Sequence, residues 1–290
     1  MAVKIELWDI PFNKAFFKTS HNSYEHSIRE QLNKGVRGLE YDIHDDKIQE
    51  LNDFEVYHLQ NHIDCLLNVD GNPSDLLLSK WLKVLDDWSS EKNKEHAPIT
   101  LFIELKNSII DSNNEPEELY GIKKLNNIIV SSFRPNTLFT FKDFRENDFK
   151  WPTVRELKGR ILIVLVSYWG GYWAASEGGF DSRLKYLEND LNGIDDVCFV
   201  SWVQEDQGDK SSYLKKETHF WKCSLEYSTM HFSKNSKAQR STRADFDKIV
   251  WGMHIETYYN KSYQNGYRCN FPATDAWRTD KYNLCFPWSI

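Results

Sequence analysis

The chain has 290 residues and a mass of 34.3 kDa, 40% apolar and 14% aromatic, which is material enough for one large core. Its 36 basic and 43 acidic residues leave a formal charge of −7, which withholds support from a nucleic-acid role and weakens any pull toward anionic membranes. Apolar runs fall short of the roughly 20 residues of a membrane helix, and "MAVKIELWDIPF" does not read as a signal peptide because charges break it.

In chain order, "KAFFKTS" reads as a strand and "EHSIREQLNKG" as a short helix closed by Gly35. "VRGLEYDIH" is the next strand, and "EVYHL" is a third after a loop. From Ser74 to Ser90, Leu77, Leu78, Trp81, Leu82, Leu85 and Trp88 recur at helical spacing and form a stripe that must face a core. "ITLFIELK" follows as a strand and "YGIKKLNNIIVSSF" as a helix. "WPTVREL" reads as a short helix with Pro152 near its start, and "GRILIVLV" as a strongly apolar strand. "DVCFVSWV" and "IVWGMHIETYY" complete the strands. Strand and helix in alternation predict a parallel sheet buried under helices, and the length suits a (β/α)8-type barrel. With no linker rich in Pro, Gly or Ser and no internal repeat, residues 1–290 read as a single α/β domain.

Cys65, Cys198, Cys223, Cys269 and Cys285 are an odd set without a C-x-x-C pair, which argues against zinc. Cys269 and Cys285 either pair in an oxidising compartment or stay as buried thiols.

Residues two apart in a strand share a face, so Glu40 pairs with Asp42 and Glu104 with Lys106, all late in their strands. His21 and Asn22 follow the first strand, and His58 ends "EVYH". Barrel strand ends of this kind ring one mouth. Acidic groups converging there repel one another unless a cation joins them. Glu40, Asp42, Glu104 and the amide oxygen of Asn22 are an all-oxygen set, which suits Ca²⁺ first and Mg²⁺ second. Taken singly, Glu40 and Asp42 fit a solvated edge as well as a site, and Glu104 fits a salt bridge with Lys106. His26, His44, His62, His96, His219 and His231 read as structural background.

Together "SHNSY", "GVRGLEYDIHDD", "VYH" and "LFIELK" resemble, in that order, the catalytic half of calcium-dependent phosphoinositide-specific phospholipases C, above all the small single-domain bacterial members. "WPTVRELKGRILIVL" and "FPATD" are similar to the family's later strand and closing segment. The resemblance implies a distorted TIM barrel, Ca²⁺ as cofactor, phosphatidylinositol at a membrane surface as partner, and secretion. His21 and His58 match the two active-site histidines, and Asn22, Glu40, Asp42 and Glu104 match the metal ligands. A metal-independent class puts an arginine where the cation would be, whereas the full carboxylate set here fits the calcium-using branch. The chain departs from the pattern in a longer gap between Asp42 and His58, which lets His62 compete for the second histidine role. Substrate contacts fall to Lys106, for phosphate or a ligand carboxylate, and to Tyr258, on the inward parity of "HIETYY" with His254 and Glu256. The aromatic, glycine-rich loop Tyr168–Gly179 reads equally as a lipid-dipping or sugar-stacking rim and as a lid over the core. The rival readings are a glycerophosphodiester phosphodiesterase, whose barrel also carries Glu-x-Asp and E-x-K strands, and a catalytically dead Ca²⁺-dependent phosphoinositide-binding barrel.

Overall fold

The computed structural model describes residues 7–12, 15, 17, 19–58, 64–106, 121–166, 197–200, 202–203, 226–229 and 271–275. The strands are β1 Thr19–His21, β2 Gly38–His44, β3 Glu55–Val56, β4 Ile99–Leu105, β5 Ile161–Val166, β6 Phe199–Val200, β7 Trp202–Val203, β8 Glu226–Thr229 and β9 Phe271–Asp275. The helices are α1 Ile28–Asn33, α2 Ile48–Leu51, α3 Leu78–Glu91, α4 Ile122–Ser132 and α5 Phe141–Glu146.

Neighbouring strands run in the order β6-β5-β4-β2-β1-β9-β8-β7, and every pair along that path is parallel. Its two ends, Val200 and Trp202, stand two positions apart in the sequence. At about 3.8 Å per residue the chain itself joins them, so the sheet closes into a ring. The expected distorted TIM-type barrel is the architecture found. Its distortion includes the shared place of β6 and β7, which occupy one position in two short pieces.

Burial follows the period of two. Leu39, Tyr41 and Ile43 of β2 turn outward beneath the helices, where the Tyr41 ring meets Trp81 edge-on at 5.9 Å. Glu40 and Asp42 turn inward and are fully buried. The apolar stripe of α3 buries Leu78, Trp81, Leu82, Leu85 and Trp88 as its spacing demands. Helix α1 is capped by the Ser27 side chain, which accepts from the Glu30 N–H, and Gly35 takes the left-handed backbone (φ 84°) that follows its end.

Some sequence expectations need correction or addition, and α2 and β8 were not anticipated at all. "WPTVREL" forms turns, because its backbone N–H groups serve an earlier segment: Val154 donates to the Ile10 carbonyl at 3.0 Å and Arg155 to that of Trp8 at 2.8 Å. "EVYHL" contributes only β3, which pairs antiparallel with the end of β2 and so lies outside the parallel ring. Helix α5 went unanticipated, although Thr140 and Asp143 form a reciprocal capping box at its start. The strand expected at "IVWGMHIETYY" lies outside the described residues. Among those described, no helix is long and apolar enough to cross a membrane.

Candidate active site

The stretch from Ser20 to Tyr24 builds the first wall of the mouth. Asn22 adopts a left-handed backbone (φ 47°, ψ 53°), a conformation asparagine tolerates, and so turns the chain sharply after β1. Its N–H then donates to Oε2 of Glu40 at 2.7 Å. The hydroxyls of Ser20 and Ser23 lie 2.6 Å apart, and Ser23 Oγ also accepts the Glu40 N–H at 2.8 Å. Gln31 of α1 donates to the Ser23 carbonyl at 2.8 Å. The turn is thereby tied to both the second strand and the first helix.

Registry brings the acids together. Asp42 and Glu104 are Cα partners across β2 and β4, and Glu40 sits two residues before Asp42 on the same face. One oxygen from each of Glu40, Asp42 and Glu104 lies within 4.8 Å of the others, with all three residues buried. Lys106, one step past β4, curls back so that Nζ stands 2.8 Å from Glu104 Oε1 and 3.2 Å from Asp42 Oδ1. Oε1 of Glu40 is buried, and no described donor reaches it.

The electrostatics follow from that crowding. Burial, with Asp42 and Glu104 adding to it, pushes the Glu40 carboxyl well above the usual carboxylate range. Glu104 is raised for the same reasons, burial first and Asp42 second. Burial would raise Asp42 too, but the Lys106 ammonium outweighs it, with help from Glu40, His21 and the Tyr24 hydroxyl, and holds it down. Lys106 in turn is kept charged by Asp42, Glu104 and Glu40 against its own burial. Three carboxylates against one ammonium leave two negative charges when all are ionised. An all-oxygen, doubly negative nest with an undonated carboxylate oxygen fits a divalent ion.

The histidines flank this nest. His21 ends β1, is buried, and stands near enough for its charge to act on Asp42 and Glu104. His58 is exposed at the rim, with its N–H donating to Asp64 Oδ2 at 3.2 Å. Protein packed against one side depresses the His58 pKa, and the charges of Asp42, Lys106 and His21 also reach it. His44, expected to be background, holds that arm in place. Its ring stacks on Tyr57 with centroids 3.8 Å apart and donates from Nε2 to the Tyr57 carbonyl at 3.0 Å. The Tyr57 N–H donates to the Asp42 carbonyl at 3.2 Å.

His21, Asn22, Glu40, Asp42, His58, Glu104 and Lys106 thus gather at one end of the barrel. Tyr258, His62, the Tyr168–Gly179 loop, Cys269 and Cys285 lie outside the described residues. Of the described cysteines, Cys198 is buried and Cys65 is half-buried with its thiol donating to the Val56 carbonyl at 3.2 Å. Two neighbours escaped the sequence reading. Tyr24 looks like an ordinary core aromatic, yet its hydroxyl meets Asp42 Oδ2 at 2.7 Å and Asn22 Oδ1 at 3.1 Å. Asp275 is the register partner of His21 across β1 and β9, a placement visible only once the ring closes.

No protein-family model and no curated protein matches the chain. Solved structures do. A calcium-dependent phosphoinositol-specific phospholipase C from a Pseudomonas species superposes with a TM-score of 0.62 at 20% identity, covering 94% of this chain and 92% of that one. The myoinositol complex of such an enzyme gives 0.59 at 20% identity over 96% and 92%. A second crystal form gives 0.59 at 19% identity over the same shares. This chain therefore has the fold of the Pseudomonas phospholipase, a TIM-type barrel.

Proposed function

We propose that this chain, acting as a single barrel over residues 1–290, is a calcium-dependent phosphodiesterase that cleaves phosphatidylinositol to diacylglycerol and a cyclic inositol phosphate. The observation that carries the reading is the nest of Glu40, Asp42 and Glu104, its oxygens within 4.8 Å, between His21 and His58. Asn22 supplies a further amide oxygen. Bound there, Ca²⁺ would acidify the inositol 2-hydroxyl and offset the charge building on phosphorus.

The protein's own groups carry the proton traffic. Glu40 or Glu104 accepts the 2-hydroxyl proton as that oxygen attacks phosphorus. The bond from phosphorus to the diacylglycerol oxygen breaks, and His58 at the rim donates the proton that the leaving oxygen needs. An imidazole is suited to this near neutral pH. His21, beside Asn22, hydrogen-bonds the phosphate, and Lys106 balances the anionic oxygens that crowd it. The lipid enters from a membrane surface by peripheral contact, as a secreted enzyme would meet it.

The test is release of cyclic inositol phosphate from phosphatidylinositol vesicles, with calcium and with chelator. Full activity in chelator refutes the metal reading. His58→Ala should lower turnover by about 10²- to 10⁴-fold and leave calcium affinity unchanged. The clasp of Lys106 on Glu104 favours one second reading, a glycerophosphodiester phosphodiesterase, since E-x-K strands occur there too. Preferential cleavage of glycerophosphodiesters over phosphatidylinositol would establish it. Calcium-dependent vesicle binding without turnover would instead identify a dead barrel.

A further inference from the structure

The reaction proposed above makes no use of Tyr24, although this residue is fully buried among the polar groups of the mouth. Its side chain is 0% exposed, with its ring 6.4 Å from that of Tyr41. A phenylalanine would fill the same volume, so the hydroxyl calls for a reason of its own. That hydroxyl touches two of the oxygen-bearing residues at once: Asp42 Oδ2 at 2.7 Å and Asn22 Oδ1 at 3.1 Å. A phenol has a single proton to give. The carboxylate is the closer acceptor and, being charged, the stronger one. Asn22 is oriented independently, because its Nδ2 donates to Glu25 Oε1 at 2.9 Å, which leaves Oδ1 as the atom turned toward Tyr24 and Asp42. Asp42 Oδ1 meanwhile points at Lys106.

Resting on the reading of this nest as a divalent-ion site, we propose that Tyr24 is its positioning residue. The hydroxyl locks Asp42 in one rotamer by donating to Oδ2, beside the Asn22 amide oxygen that Glu25 keeps turned the same way. Two ligands, one on β2 and one in the turn after β1, are thus aligned before an ion arrives. Groups behind metal ligands commonly govern affinity about 10- to 100-fold.

The experiment is calcium titration by calorimetry on protein stripped with chelator. Tyr24→Phe keeps the ring and removes only the hydroxyl, and its calcium affinity should fall about 10- to 100-fold. Tyr41→Phe removes a hydroxyl from the adjacent buried ring, one with no hydrogen-bond partner among the described residues, and should bind calcium like the parent. Unchanged affinity in folded Tyr24→Phe overturns the proposal alone, and so does an equal loss in Tyr41→Phe. Absence of calcium binding by the parent protein overturns it together with the reading on which it rests. Should Tyr24→Phe fail to fold, a tyrosine labelled with ¹³C at its phenol carbon at position 24 of the parent chain gives the answer. Its resonance should move with the calorimetric midpoint, and a resonance that stays put refutes the positioning role.

Discussion

The two ends of this barrel bury polar groups in opposite ways. At the foot, beside the start of β4, His96 donates from Nδ1 to the Ala97 carbonyl at 2.8 Å and accepts the Ser89 hydroxyl proton at Nε2, 2.7 Å away. Asp86 accepts the Arg134 N–H at 3.1 Å and stands 2.8 Å from its guanidinium. His96 and Asp86 have each found local partners. At the mouth, by contrast, Glu40, Asp42 and Glu104 face one another, and Glu40 Oε1 receives no described hydrogen bond. Crowding of buried charge at the mouth is what the proposed divalent ion would relieve.

The largest expected effect probes that contrast directly. Glu40→Gln should cut phosphodiester cleavage by roughly 10³-fold. In chelator the same variant should melt higher than the parent, because a like charge is gone. A variant that loses both activity and stability would put Glu40 among the foot-type groups. Next comes a pH effect. Burial holds the His96 pKa down to about 4, below its ordinary 6.5, so the folded chain binds fewer protons than the unfolded one between those values. The stabilisation is complete above pH 6.5 and should fade by about 3 kcal/mol as pH drops toward 4. Denaturant melts at several pH values check this, and His96→Gln should flatten the slope while leaving kcat alone. Smaller still, Asp86→Ala should cost about 2 kcal/mol of stability through lost hydrogen bonds to charged groups, again with kcat unchanged. Least of all, Tyr41→Phe should alter stability by about 1 kcal/mol or less, since the buried Tyr41 hydroxyl has no described partner to lose.

The sequence exposes Glu40, Asp42 and Glu104 because a charge on alternate positions of an apolar strand is costly without a purpose. Helix α3 is equally readable, since its leucines and tryptophans keep one face for 14 residues. Pairing, however, is a property of two segments. Nothing in "EVYHL" says that Glu55 and Val56 will run antiparallel to β2, and nothing in "FPATD" says that Asp275 will stand beside His21. "WPTVREL" has the caps of a helix, with Thr153 and Glu156 bonding each other reciprocally, but the chain near Trp8 and Ile10 captures its N–H groups first. Tyr24 is the deepest omission. A hydroxyl reveals its role only by what it touches.

Gly38 shows how far from the mouth its dimensions are set. It is the Cα partner of Thr19 between β1 and β2, and a Cβ built on it would fall 2.2 Å from Thr19 Oγ1. Thr19 cannot retreat easily, being fully buried and bonded to the Phe17 carbonyl at 2.9 Å. Even a methyl group there would act as a wedge, and the strands would splay two residues further on, where Asn22 now grips Glu40. Gly38 is thus the ruler for the spacing of these two strands at the mouth, and a lineage that enlarged it would lose the aperture without altering any residue that lines it.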